Sequence, residues 1–253
     1  MILNYQIHQI EKITEEIPLV FIHGLFGSLT NLGMLAREFY QSRTVIQIDL
    51  RNHGHSFHSD QMNYHDMAQD VLETLEQLNI KKFSVIGHSM GGKVAMQLAQ
   101  QAKNRIEKLI ILDIAPYKYT ENHHDQIFKA LFAVQHAECE NRQQATKIMR
   151  EHLAEEMVIQ FLMKSFHQGK WLFNVNALFE NYSNILDWTH ISPYEQSVLF
   201  IRGGQSAYIS KDEQFAALKL QFPHAKIVNI ENVGHWLHAE KPQAVLDEIQ
   251  AYL

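Results

Sequence analysis

Short runs of consecutive apolar residues punctuate the chain, and between them apolar residues recur at spacings of three and four. Pro18 to Ile22, Thr44 to Ile48, Phe83 to Ile86, Lys108 to Leu112, Val198 to Ile201 and Lys226 to Ile230 are largely apolar on successive positions. Runs this short and rich in Val and Ile predict strands covered on both faces, as in a parallel sheet. The opening ten residues predict an antiparallel edge hairpin. Helical spacing over Leu32 to Tyr40, Tyr64 to Leu78, Lys93 to Gln101, Asp212 to Phe222 and Pro242 to Tyr252 supplies the crossovers. The alternation predicts an α/β fold, a mostly parallel central sheet flanked by helices.

Between Pro116 and Pro193 the alternation stops and no strand pattern is present. Phe128, Leu131 and Phe132, and then Val158, Phe161, Leu162 and Phe166, fall at helical spacing, so each set predicts one apolar helix face. The segment 116–193 is therefore expected to be a helical cap inserted into a core made of 1–115 and 194–253. It holds nine acids against seven Lys and Arg, so it offers no basic platform to an anionic partner. Trp171, Trp188, Phe128, Phe132 and Phe173 have two readings, lining a pocket or packing the cap, and packing is favoured for any single one.

The chain has 253 residues, 46% of them hydrophobic, enough for a sizeable core. Its formal charge is 22 − 28 = −6, the wrong sign for gripping phosphate backbones, so nucleic acid is not an expected partner. No apolar run approaches the roughly 18 residues of a membrane span, and Met1 to Ile7 lack a basic leader region. The single Cys139 cannot form an internal disulfide or a thiolate metal site. A cytoplasmic, untargeted protein is the expectation; monomer and homodimer stay open.

Candidate chemistry centres on Gly87-His88-Ser89-Met90-Gly91, a G-x-S-x-G motif directly after a strand pattern and before a helix starting near Gly91. A turn sharp enough to lift the Ser89 hydroxyl above the sheet edge leaves no room for a Cβ two residues either side, hence glycine at both places. A serine hydroxyl is a weak nucleophile and needs a base that is itself oriented by an acid. His235, in Asn232-Val233-Gly234-His235-Trp236 after the last strand pattern, is the base candidate, and His238 its nearest rival.

With these residues the chain resembles the α/β-hydrolase superfamily over nearly all its length outside the cap. Ile22-His23-Gly24-Leu25-Phe26-Gly27-Ser28 is similar to that family's H-G-x-x-G turn, and Asp49 to Ser56 to its D-x-R-G-x-G-x-S loop. The resemblance implies an α/β-hydrolase fold with a helical cap, and an oxyanion hole from the amides of Leu25 and Met90, with Phe26 the alternative if the turn is displaced by one residue. His23 and Gly24 are expected to shape that loop. Much of the family carries its acid after the penultimate strand, where this chain has Ile201-Arg202-Gly203-Gly204-Gln205-Ser206, and a serine cannot offset an imidazolium charge. Asp113, in Leu112-Asp113-Ile114-Ala115-Pro116, ends a neighbouring strand pattern. The combination looks like the bacterial YbfF-type esterases, which use that alternative acid.

The resemblance thus implies a serine esterase or thioesterase acting on small acyl esters, acyl-CoA thioesters included, through Ser89, Asp113 and His235. A cofactor-free lyase or C–C hydrolase using the same triad, and a non-catalytic binding module, are the alternatives. Phe26, His88, Arg51, Arg202 and Trp236 are candidate pocket residues, although an arginine in such loops more often fixes a turn. No cofactor is expected. His53 with His55, and His123 with His124, lack a recognised metal-ligand spacing, so no metal is expected.

Overall fold

Leu19, Val20, Phe21 and Ile22 illustrate how the apolar runs become a sheet. All four are buried, but Val20 and Ile22 enter one hydrophobic cluster while Leu19 and Phe21 enter another on the opposite face. The same division recurs at Val45 and Ile46, Val85 and Ile86, Ile110 and Ile111, and Leu199 and Phe200. Successive side chains of a strand point to opposite faces, so runs without polar alternation require cover on both. Each such side chain taken out of water contributes about 1.5 to 3 kcal/mol.

The computed structural model describes residues 1–10, 16–102, 104–121 and 124–253. Its elements are, in order, β1 (Tyr5–His8), β2 (Leu19–Ile22), α1 (Gly33–Arg37), β3 (Val45–Ile48), α2 (Tyr64–Gln77), β4 (Phe83–His88), α3 (Met90–Gln101) and β5 (Ile106–Leu112). Then follow α4 (Asp125–His136), α5 (Arg142–His152), α6 (Glu156–Met163), β6 (Phe166–His167), β7 (Lys170–Trp171), α7 (Val175–Glu180) and α8 (Tyr182–Leu186). The chain closes with β8 (Val198–Gly203), α9 (Asp212–Gln221), β9 (Ala225–Ile230), α10 (Leu237–Glu240) and α11 (Pro242–Tyr252).

The main sheet runs β1-β3-β2-β4-β5-β8-β9, with every pair parallel except β1 with β3. Buried residues of α2 and α3 join the cluster on one face, and those of α1 and α11 the cluster on the other. All the parallel strands therefore end on one edge, which collects the loops after β2, β4, β5, β8 and β9.

Three expectations are corrected. The opening residues form an antiparallel edge strand but no hairpin with the next strand: β1 pairs with β3, from Tyr5 opposite Ile48 to His8 opposite Val45. Both sides of β2 are taken by β3 and β4, so the outer side of β3 is the edge left for β1. The helix expected over Leu32 to Tyr40 is confined to α1, after which the chain continues in turns such as Phe39 N–H to Ala36 O. Phe166 does not continue the face of Val158, Phe161 and Leu162. It opens a two-stranded ribbon opposite Trp171, because Gln168 and Gly169 take φ of 48° and 78° and form the tight turn that such a ribbon needs.

Candidate active site

Ser89 sits between β4 and α3 with φ 54° and ψ −122°, a conformation that L residues avoid unless the surroundings impose it. Its own amide donates to Leu112 O at 3.0 Å, tying the turn to the end of β5. A Cβ on Gly87 would lie 2.3 Å from Gly91 O, and one on Gly91 would lie 2.4 Å from both Ile22 O and His23 O. Only glycine at these two places lets α3 start this close to β2 and β4.

His235 arrives from the loop after β9 and Asp113 from the end of β5, itself at φ 54°. His235 Nδ1 donates to Asp113 Oδ2 at 2.7 Å, which leaves Nε2 to accept the Ser89 hydroxyl at 2.9 Å. Asp113 is wholly buried, while the His235 side chain keeps 22% of its exposure. The other carboxylate oxygen accepts the Gly203 amide at 2.9 Å, and Ser206 Oγ donates to Oδ2. Tyr208 stacks on the imidazole at 4.0 Å between ring centres. The rival His238 has no hydrogen-bond partner for Nδ1 among the described residues, and burial pushes its pKa down to about 3.

The amides of Leu25 and Met90 have no acceptor among the described residues, whereas the Phe26 amide donates to His53 Nε2 at 3.2 Å. His53 donates from Nδ1 to Arg51 O at 2.9 Å, so it is neutral, and burial followed by the nearby His23 pushes its pKa down to about 3. His23 is bound in the same manner. Its Nδ1 donates to Gly24 O at 2.8 Å, its Nε2 accepts the Leu50 amide at 3.1 Å, and burial lowers its pKa. These two histidines fasten the Leu25 turn to the loop after β3 and use up the Phe26 donor.

The cavity over Ser89 is walled by Phe26, His88 and Trp236 from the core, and by Tyr119, Val158, Phe161, Tyr182, Ile185 and Leu186 from the chain between β5 and β8. Arg51 and Arg202 do not face it. The Arg51 guanidinium is held by Asp70 at 2.6 Å, by Gln61 O at 2.8 Å and by Asp66, and Arg202 lies over the Phe215 ring. Among the aromatics between β5 and β8, Phe128 and Phe173 pack on Phe26, and Trp171 stacks on Phe173, away from the cavity lining. Cys139 is buried and also stands outside that lining. His123 lies outside the described residues, and His124 contacts the Tyr182 hydroxyl at 2.5 Å.

Sequence reading missed Lys93, Ser206 as a donor, and Tyr208. Lys93 follows Ser89 by four residues, one helical turn, and that spacing is the signal that it shares the nucleophile's side of α3. Lys93 is one of the residues that line the cavity, and its Nζ donates to Leu186 O at 3.2 Å and Asp187 O at 3.0 Å, with the rings of Tyr64, Tyr119 and Trp188 around it. Burial pushes its pKa down to about 7, against the pull of Asp187.

Known proteins share this fold. The model of a family described as alpha/beta hydrolase fold matches residues 17–242. Esterase YbfF of Escherichia coli strain K12 is 51% identical over 237 residues, spanning 93% of this chain and 92% of that protein. The sn-1-specific diacylglycerol lipase ABHD11 of Mus musculus is 36% identical over 247 residues, 93% of this chain and 80% of that one. A solved marine microorganism esterase superposes with a TM-score of 0.92 at 32% identity, covering 100% of this chain and 99% of the other. With the family's model matched from before β2 to the start of α11, this chain belongs to the alpha/beta hydrolase fold family.

Proposed function

We propose that the chain is a serine esterase that cleaves small carboxylic esters, thioesters such as acyl-CoA included, through an acyl-enzyme on Ser89. The observation that carries this reading is the unbroken relay from Asp113 Oδ2 through His235 to Ser89 Oγ, at 2.7 and 2.9 Å. Ser89 Oγ attacks the acyl carbonyl while His235 Nε2 takes its proton, and Asp113 balances the charge that the imidazole acquires. The carbonyl oxygen becomes an oxyanion facing the Leu25 and Met90 amides, each such donor lowering the barrier by about 3 to 4 kcal/mol. Collapse expels the alcohol or thiol, which takes the proton from His235. Water then enters, gives a proton to His235, and releases the acid as Ser89 is reprotonated.

The esterase and lipase names of the relatives support an ester as the bond cleaved. An apolar cavity wall supports an acyl chain as the group held, and residues 116–193 act in this reading as the cap that supplies much of that wall. The test is hydrolysis of p-nitrophenyl esters of graded acyl length and of acyl-CoA thioesters, by the parent and by Ser89→Ala. Turnover that collapses in Ser89→Ala by about four orders of magnitude or more is expected. A parent inactive on every ester and thioester would sink the proposal.

A further inference from the structure

Two hydrogen bonds leave one freedom of the His235 ring unsettled. Nδ1 donates to Asp113 Oδ2 at 2.7 Å and Nε2 accepts the Ser89 hydroxyl at 2.9 Å, which fixes both nitrogens but lets the ring tilt about the line that joins them. His88 Nε2 donates to His235 O at 2.9 Å and so holds the backbone of that residue. The ring plane is met by Tyr208, whose ring lies 4.0 Å away between centres at an interplanar angle of 29°. Tyr208 is itself pinned at its backbone: its amide donates to Ser206 Oγ at 3.2 Å, and its carbonyl accepts the Tyr119 hydroxyl at 2.6 Å. That hydroxyl in turn accepts the Ala115 amide at 3.0 Å, and the Tyr119 ring stands edge-on to Tyr208 with centres 5.3 Å apart.

We propose that Tyr208 is a positioning residue, its ring face setting the plane of the His235 imidazole and meeting the charge which that imidazole acquires during the reaction. This rests on the serine esterase reading above. The face of an aromatic ring carries negative charge density, from which a neutral imidazole gains little. Once Ser89 Oγ bonds to the acyl carbon its proton is on Nε2, and the imidazole is then a cation that the same face attracts. The second half of the reaction repeats this, with the attacking water giving its proton to Nε2. A contact that strengthens from ground state to transition state acts on kcat and leaves KM alone. The effect belongs to the ring, so phenylalanine can supply it.

The experiment compares the full-length parent with Tyr208→Phe, Tyr208→Leu and Ser89→Ala. The readouts are steady-state kinetics on a p-nitrophenyl ester and the proton NMR signals of the His235 ring, assigned through their loss in His235→Gln. Tyr208→Leu is expected to lose about tenfold in kcat at a KM within about twofold, the size of a partly desolvated contact between a cation and an aromatic face. Tyr208→Phe, which keeps the ring, stays within about threefold of the parent. Ring currents shield protons held over an aromatic face, so the His235 ring signals lie upfield in the parent and in Tyr208→Phe and return downfield in Tyr208→Leu. Parent signals at the position of an unstacked histidine overturn the proposal without any variant at 208. Parent-like kcat in Tyr208→Leu overturns it, and so does a raised KM at parent kcat, which makes Tyr208 a cavity wall alone. Tyr208→Phe as slow as Tyr208→Leu overturns it too, because the hydroxyl would then carry the effect. Parent-like turnover in Ser89→Ala would instead bring down the esterase reading, and this inference with it.

Discussion

Asp113 Oδ2 and His235 Nδ1 lie 2.7 Å apart although 122 residues separate them in the chain and a whole strand separates them in the sheet. Asp113 ends β5, His235 follows β9, and β8 runs between. The carboxylate reaches across because β8 stops at Gly203, whose amide binds Asp113 Oδ1. Gly203 has no side chain to hold off the His235 loop: a Cβ there would lie 2.1 Å from Gly234 O.

Asp113→Asn keeps the shape of this contact but presents an amide to the imidazole, which favours the wrong ring tautomer. In a serine triad this change costs about 10⁴-fold in kcat. A fall of that order on p-nitrophenyl esters, with KM little changed, is expected. A variant within tenfold of the parent would show that a different carboxylate serves His235.

Gly203→Ala is expected to push away the Gly234 backbone and with it His235, one residue on. Misplacing a reacting group by about 1 Å can cost about 100-fold in rate, so kcat should drop on that scale with a lowered Tm. Unchanged kcat and Tm would mean that the loop yields without moving the imidazole.

Lys93 links stability to alkaline pH. Its pKa is about 7 in the folded chain and near the ordinary lysine value when unfolded, so between those limits the unfolded state binds the extra proton. Stability then rises with pH through this window, by up to about 1.4 kcal/mol per pH unit from this group. The neutral amine still has two N–H groups for Leu186 O and Asp187 O. Urea unfolding from pH 7 to 9.5 should show the parent gaining on Lys93→Met as pH rises, and a constant difference would refute it.

His53 acts in the acid range. Its pKa is about 3 in the folded chain and near the ordinary histidine value of about 6.5 when unfolded, so below pH 6.5 the unfolded state takes up the proton first. Stability falls as pH drops towards 3, by up to about 1.4 kcal/mol per unit, and His238, also near 3, adds a similar loss. His53→Gln should flatten the dependence of unfolding free energy on pH between 6.5 and 4.5. Parallel curves for parent and variant would count against this.

Much of the frame was legible in the chain itself. Unbroken apolar runs such as Leu19 to Ile22 demand cover on both faces, and helical spacing over Tyr64 to Gln77 or Pro242 to Tyr252 demands one buried side, since both periodicities are local consequences of backbone geometry. Gly87 and Gly91 around Ser89 marked a turn that no other residue can make. The missing acid after Arg202-Gly203-Gly204 directed attention to Asp113.

The tertiary structure decided what depends on which distant residues meet. Arg51 reads in sequence either as a pocket cation or as a residue that fixes a turn, and Asp70 and the Gln61 carbonyl, which hold its guanidinium, decide for the second. Phe26 reads as a possible oxyanion donor, but His53 takes its amide hydrogen. Ser206 reads as the absence of a carboxylate, and packed against β5 it donates to one. The partner of β1, the turn at Gly169 and the walls of the cavity over Ser89 belong to the same class. Periodicity and turn chemistry act over a few neighbouring residues. A hydrogen bond between groups about a hundred residues apart is set by strand order and by how far the intervening backbone can approach.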